Sequence, residues 1–212
     1  MTEQKILKVF NPAFRSVNVK RYLELLKSHH KESYEHSLRV AVLCIYLGLK
    51  NSLPKKKIRL LAYAGLLHDI GKLDVPLSIL SKKSALTEKE IRIIREHPRR
   101  SFIRLKESEL EEVKKIIIMH HEYCNNPYPR SGVDRRKTRR KDRRNNNGLD
   151  DLAQILSVAD MYDALSHMRA YHEPFDCEEI KQIIGKQFKG KKRYIKQIIK
   201  KCLVDYHSRN DS

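Results

Sequence analysis

Residues Ala64–Lys72 read AGLLHDIGK: four small or apolar residues, then a histidine and an aspartate side by side, then a glycine two residues on. The apolar part ends a helical pattern that begins at Lys55, so His68 and Asp69 fall at a helix C-terminus, where Gly71 permits the chain to turn. The surrounding sequence has the same periodicity. From Val19 to Leu26 and from Glu32 to Leu49 the apolar residues recur at three- and four-residue steps, until Asn51 to Pro54 interrupts them. Thr87-Glu88-Lys89-Glu90 has the form of a capping box ahead of Ile91, Ile93 and Ile94. That helix should end near His97, because Pro98 disfavours the helical conformation in the residue before it. Glu109 to Glu122, Leu149 to Met168, Cys177 to Phe188 and Tyr194 to Tyr206 read as further helices, and no run of alternating β-branched residues suggests a sheet. The class is all-α, a compact bundle of roughly seven to nine helices.

Composition narrows the function classes. A chain of 212 residues with 40% hydrophobic content can bury one sizeable core. Its longest apolar candidate, Val40 to Leu49, is too short to span a bilayer, so no membrane insertion is expected. The first ten residues, MTEQKILKVF, lack the long apolar segment of a signal peptide, and a cytoplasmic location is the default expectation. Cys44, Cys124, Cys177 and Cys202 have no zinc-knuckle spacing and read as reduced thiols. The formal net charge is +19, of which Arg130 to Arg144 carries +7. Such a block reads as a solvated, flexible surface insertion, spanning 130–148, and alternatively as an arm that attracts phosphates of nucleic acid, membrane or ligand. No aromatic residues interleave the basic ones, which favours the first reading.

Several polar residues break otherwise apolar helical stretches: His36, His68-Asp69, His97, His120-His121 in IIIMHHE, and Asp160 in ILSVADMYDAL. Buried polar groups need partners, and one metal centre in the core would satisfy all of these together. Imidazole with carboxylate and no thiolate points to Fe, Mn, Zn or Ni rather than copper(I) or a structural zinc. An aspartate beside a histidine can bridge two cations, as in two-metal hydrolytic sites.

The ordered motifs YEHSLRVA (34–41), AGLLHDIGKLDVP (64–76), LTEKEIRIIREHP (86–98), HHE (120–122) and VADMYDALSHMRAY (158–171) resemble those of the HD-GYP subgroup of the HD-domain metal-dependent phosphohydrolases. The resemblance runs from about Glu32 to Tyr171, with a weaker continuation through Phe188. It implies a helical catalytic domain at 31–212, preceded by a helical lead-in at 1–30. It also implies a phosphodiesterase that uses two divalent ions, Fe or Mn, to cleave cyclic di-GMP to linear pGpG or GMP. By the match, His36, His68, Asp69 and Asp160 hold one ion, and Asp69, His97, His120 and His121 the other. Glu32, one helical turn before His36, is a candidate for supporting a third. Lys72 becomes a catalytic cation on the phosphate beside Asp69. Asp163 and Arg169 become contacts to substrate or water.

One segment departs from the pattern. Where the subgroup continues after HHE with Arg, an Asp-Gly pair and then Gly-Tyr-Pro, this chain has Tyr123-Cys124-Asn125-Asn126-Pro127-Tyr128-Pro129. Proline in place of glycine fixes φ and removes an amide hydrogen, so the loop must take another path. The substrate and any regulatory protein partner meeting residues 123–148 are therefore open, as is the oligomeric state. The alternative readings are an HD-domain phosphohydrolase acting on another nucleotide or phosphoester, and a non-catalytic module binding a cyclic dinucleotide or a protein.

Overall fold

A computed structural model describes residues 3–125, 148–167 and 174–210, the last nine of these as backbone only. The described residues form α1 (Glu3–Phe14), α2 (Val17–His29), α3 (Lys31–Lys50), α4 (Lys55–Leu67), α5 (Leu77–Leu80) and α6 (Glu88–Arg95). They continue as α7 (His97–Arg104), α8 (Glu111–Ile117), α9 (Leu149–Ser166), α10 (Cys177–Gln187) and α11 (Lys192–Asn210), with 3-10 turns at Ile70–Asp74, Ser108–Leu110 and His120–Tyr123. Nine of these α-helices are eight residues or longer, and the all-α expectation holds. The expected basic insertion, the loop beyond Asn125 and Arg169 fall outside the described residues, apart from Gly148.

The core is built around α9. Its residues Leu152 to Asp160 are buried on every side, so it is a central helix and not the one-faced amphipathic helix that a stripe of Leu152, Ile155, Leu156 and Ala159 suggests. Helices α3 and α4 pack most extensively against each other, with α9, α8 and α2 around them. The lead-in helices share this core through Ala13, Val19, Tyr22, Leu23 and Leu26. No described helix is long and apolar enough to cross a membrane.

Two glycines let the site elements approach. A Cβ on Gly65 would lie 2.5 Å from the Ala41 Cα, so glycine there is what allows α4 to lie backbone against backbone on α3. A Cβ on Gly71 would meet the His97 carbonyl oxygen at 2.1 Å and the Ser101 nitrogen at 2.6 Å. Gly71 does not take a left-handed conformation, since Gly148 is the described glycine with positive φ. Its purpose is therefore close packing of α7 on the turn after His68-Asp69, and not the turn itself.

Three local expectations change. Pro98 ends α6 as expected, but it also sits in the first turn of α7, where a missing amide hydrogen costs nothing. The helix expected over Glu109 to Glu122 instead stops at Ile117, and the two histidines enter a separate 3-10 turn. Cys177 is disulfide-bonded, against the expectation of reduced thiols throughout, because sequence spacing does not reveal which cysteines the fold brings together. The capping box at Thr87 and Glu90 forms as read.

Gly65→Ala should lower the thermal midpoint by the equivalent of about 1–3 kcal/mol of overpacking, with helical content retained, as followed by circular dichroism. An unchanged midpoint would mean that the α3–α4 contact has slack the geometry does not show.

Candidate metal centre

Five segments of the chain meet at one buried point. His36 comes from the second turn of α3, His68 and Asp69 from the C-terminus of α4, and His97 from the junction of α6 and α7. His120 and His121 come from the turn after α8, and Asp160 from α9. All are buried except His121, whose side chain is 20% exposed. Two triads have ligand atoms mutually within 4.8 Å, His36–His68–Asp69 and His97–His120–His121.

Both carboxylates lie across the two triads. Asp69 turns Oδ2 toward the Nε2 atoms of His68 (3.5 Å) and His36 (3.7 Å), and Oδ1 toward His97 Nε2 (3.4 Å). Asp160 Oδ1 lies 3.0 Å from His36 Nε2 and 3.8 Å from His68 Nε2, while Oδ2 is 3.9 Å from His121 Nε2. Lys72 Nζ is 2.6 Å from Asp69 Oδ2.

The imidazoles are held from behind. His68 Nδ1 donates to the Gly65 carbonyl (2.9 Å), His97 Nδ1 to Ile94 (2.8 Å) and His120 Nδ1 to Ile117 (2.5 Å). A carbonyl can only accept, so in these three rings the hydrogen is on Nδ1 and the Nε2 lone pair points inward. Each acceptor belongs to the last turn of a helix, where carbonyls have no partner in the helix itself. The inward lone pairs of His97 and His120 consequently face each other at 3.4 Å, with His121 Nε2 3.3 Å from His97 Nε2, and His36 Nε2, which bonds to Asp160, 3.3 Å from His68 Nε2. For neutral rings lacking a hydrogen on Nε2, such an approach is repulsive unless a cation lies between them, which is the chemistry of a metal donor set with its outer hydrogen bonds in place. The residues present fit divalent ions.

Burial sets the protonation states. It drives His97 down to about 3 and His120 to about 4, with neighbouring imidazoles adding to the fall. It also lowers His121, again with neighbouring rings, and His68. For His36 burial acts the same way, but hydrogen bonds to Asp160 and Asp163 outweigh it and raise the pKa. Burial would raise Asp69, yet the Lys72 ammonium beside it, with the neighbouring imidazoles adding to the effect, holds it well below the usual carboxylate range. Asp160 is held low in the same manner, by its hydrogen bond to His36 and the neighbouring imidazoles.

A cleft of about 480 Å³ opens onto the cluster and is lined by Asp69, Lys72, His97, His121, Asp160 and Arg95, among others. Its volume lies within the range of small-molecule sites. Thus eight residues singled out in the sequence meet here: His36, His68, Asp69, Lys72, His97, His120, His121 and Asp160. Glu32 belongs to neither triad, although its charge reaches His30, which also feels Lys72 and Asp69. Asp163 is fully buried and bonds to the far side of His36, at Nδ1, 2.7 Å away. Arg169 lies outside the described residues.

Sequence reading missed Ser101 and Arg39. The buried Ser101 hydroxyl donates to the His68 carbonyl (2.7 Å) and accepts from the Gly71 amide (2.8 Å), stitching the turn to α7. Only the spacing to a serine three helices on could have signalled it, and serines are too common for that.

An HD domain family model matches residues 21–189. The chain belongs to the HD-domain family. Among curated relatives, a cyclic di-GMP phosphodiesterase of Pseudomonas aeruginosa is 30% identical over 167 residues, covering 78% of this chain and 38% of the relative. A 3'3'-cGAMP-specific phosphodiesterase of Vibrio cholerae is 27% identical over 174 residues, covering 78% and 31%. This HD-domain chain thus spans about a third of the length of these relatives. The solved HD domain of the L. monocytogenes phosphodiesterase PgpH, in complex with cyclic-di-AMP, superposes with a TM-score of 0.60 at 19% identity, covering 89% of this chain and 96% of that one. The HD-domain fold is common to both.

A group whose folded pKa is depressed contributes stability that is complete above its unfolded pKa, about 6.5 for histidine, and is lost as pH falls toward the folded value. His68, His97, His120 and His121 act in this sense, and His36, with its raised pKa, acts oppositely. The thermal midpoint of chelator-treated protein should therefore fall between pH 7 and pH 4, and His120→Gln should flatten the slope. Scanning calorimetry across that range decides it; a midpoint independent of pH would show that these rings do not titrate as the burial implies.

Proposed function

We propose that this chain is a metal-dependent phosphodiesterase of the HD-GYP type that hydrolyses cyclic di-GMP to linear pGpG or GMP. The observation that carries this reading is the buried pair of histidine triads spanned by Asp69 and Asp160, open on one side to a cleft that Lys72 lines. The curated relatives named as cyclic dinucleotide phosphodiesterases support the substrate class.

His36, His68, Asp69 and Asp160 would hold one divalent ion, and Asp69, His97, His120 and His121 a second, with Fe or Mn suited to imidazole and carboxylate ligands. Glu32 is the candidate for a third. When bound, such ions supply the Lewis acidity that activates water and offsets phosphoryl charge. The chain's own residues then orient the reaction. Lys72, held at 2.6 Å from Asp69 Oδ2, presents its ammonium at the cleft, where it can accompany a phosphoryl oxygen as negative charge develops. Burial keeps His97 and His120 neutral and available as ligands at any physiological pH.

The wall facing the centre decides which dinucleotide enters. Arg95, Asn125 and Gln187 line it, and Asn125 Nδ2 donates to the Lys186 carbonyl (2.9 Å), anchoring the described start of the altered loop to α10. The rest of that loop, with Pro127, and the basic segment after it are where substrate choice and any regulatory protein contact would differ from the Gly-Tyr-Pro pattern. A cytoplasmic location, with residues 1–30 as a helical lead-in packed on the catalytic part at 31–212, completes the proposal.

The test is hydrolysis of cyclic di-GMP, 3'3'-cGAMP and cyclic di-AMP by protein loaded with iron or manganese under aerobic and anaerobic conditions. Cyclic di-GMP should be the best substrate. Asp69→Ala should lose metal and turnover together, whereas Lys72→Met should retain metal and lose about 100-fold in kcat. Full metal occupancy with no turnover of any dinucleotide would redirect the search to other phosphoesters, and a wild-type chain that binds no metal would make it a binding module.

A further inference from the structure

Three of the imidazoles in the metal centre are steadied by a carbonyl from the last turn of the helix just before them, and His36 is not. It is the sixth residue of α3, where the carbonyls of the preceding turn are already used by the helix, and that of Ser33 also accepts the Ser37 hydroxyl (3.0 Å). Its Nδ1 hydrogen must go to another element. The acceptor is Asp163 Oδ2, 2.7 Å away on α9.

That carboxylate is itself clamped. Arg39, one turn after His36, donates from Nε to Oδ1 (2.8 Å) and from Nη2 to Oδ2 (3.0 Å), and His167 Nδ1 approaches Oδ1 at 3.2 Å. The two-point contact fixes the plane of the carboxylate, which a single lysine-type contact would not. Asp163 is also separated from the substrate side. At about 100° per residue, Asp160, Met161, Ala164 and Leu165 share the face of α9 that lines the cleft, while Tyr162, Asp163 and Ser166 share the opposite face. Asp163 and Arg39 line a second cavity there.

We propose that Asp163 and Arg39 are a positioning pair: they fix the hydrogen of His36 on Nδ1, aim its Nε2 at Asp69 and Asp160, and so set the metal affinity of the His36–His68–Asp69 triad without touching substrate. This rests on the metal-centre reading above. The pair replaces, for a histidine in mid-helix, the carbonyl that a helix end supplies to His68, His97 and His120. A carboxylate acceptor also makes the imidazole a more basic donor than a carbonyl does, so this triad should be the tighter one.

The experiment is a manganese titration of the chelator-stripped full chain by calorimetry, with long-range proton–nitrogen NMR of the histidine rings. Wild-type protein should bind two ions and show His36 in the Nδ1–H form. Asp163→Ala should weaken one ion about 100-fold and leave the other unchanged, with the His36 tautomer lost. Asp163→Asn, whose amide oxygen can still accept from Nδ1, should keep the tautomer and lose about tenfold. Arg39→Ala should also lose about tenfold, partly recovered in Arg39→Lys. Should Asp163→Ala fail to fold, Arg39→Ala still decides, because that side chain is 33% exposed. Wild-type affinity at both sites in folded Asp163→Ala and Arg39→Ala overturns the proposal. So does equal weakening of both ions with a lowered thermal midpoint, which marks a merely structural role. A wild-type chain that binds no manganese overturns the metal reading itself, and this inference with it.

Discussion

Nitrogen lone pairs that face one another at the buried end of a cleft impose the constraint around which the rest of this molecule is arranged. Each ring among His68, His97 and His120 has its hydrogen on the outer nitrogen, committed to a carbonyl, so the inner nitrogens can only repel or share a cation. Protonation would relieve the repulsion, but burial holds His97 near 3 and His120 near 4. A polar centre of this kind can sit inside an apolar bundle only if every ring is fixed in place and the acids opposite stay ionised. Asp69 and Asp160 do stay ionised, held low by the charges around them against the cost of burial.

Helix ends supply the fixing. A histidine just beyond the last turn can fold back onto a carbonyl that the helix has left without a partner, which orients the ring at no cost to the backbone. The molecule uses this at the ends of α4, α6 and α8, and the geometry then demands that three helix termini crowd together. Gly65 lets α4 lie against α3 and Gly71 lets α7 close onto the turn after α4, at points where a methyl group would overlap backbone atoms. Ser101 of α7 spans that second contact, bonding to the His68 carbonyl and the Gly71 amide. On the other side of α8, an amide of the segment after α10 donates to the Tyr123 carbonyl (2.7 Å), and an isolated bridge joins Cys124 to Phe188. These contacts hold the His120–Tyr123 turn against the bundle.

Helix α9 divides the two jobs of the centre. One face carries Asp160 toward the histidine triads and the cleft, and the other carries Asp163 away from the cleft, onto the back of His36. The same division explains why Lys72 and Arg39, two cations close to the same cluster, pair with different acids: Lys72 with Asp69 at the cleft, Arg39 with Asp163 behind the wall.

Much of this was legible in the sequence. The boundaries of α4 match the periodic run that ends at Leu67, and α9 begins at Leu149 as read, because long apolar periodicity and turn residues act locally. Polar residues breaking apolar helices also marked the candidate ligands, since such residues are buried only when something pairs with them. Other features depended on distance. Gly71 read as a turn residue because close approach by a helix 26 or more residues later leaves no local trace. The break of α8 before His120 came from the ring taking the Ile117 carbonyl, a choice made only where other imidazoles converge. By itself the sequence determined most of the long helices and the kinds of donor they carry. Only the tertiary structure decided which donors share a centre, which nitrogen of each ring faces it, and that Asp163 stands behind His36, because those properties depend on contacts between residues up to 127 positions apart.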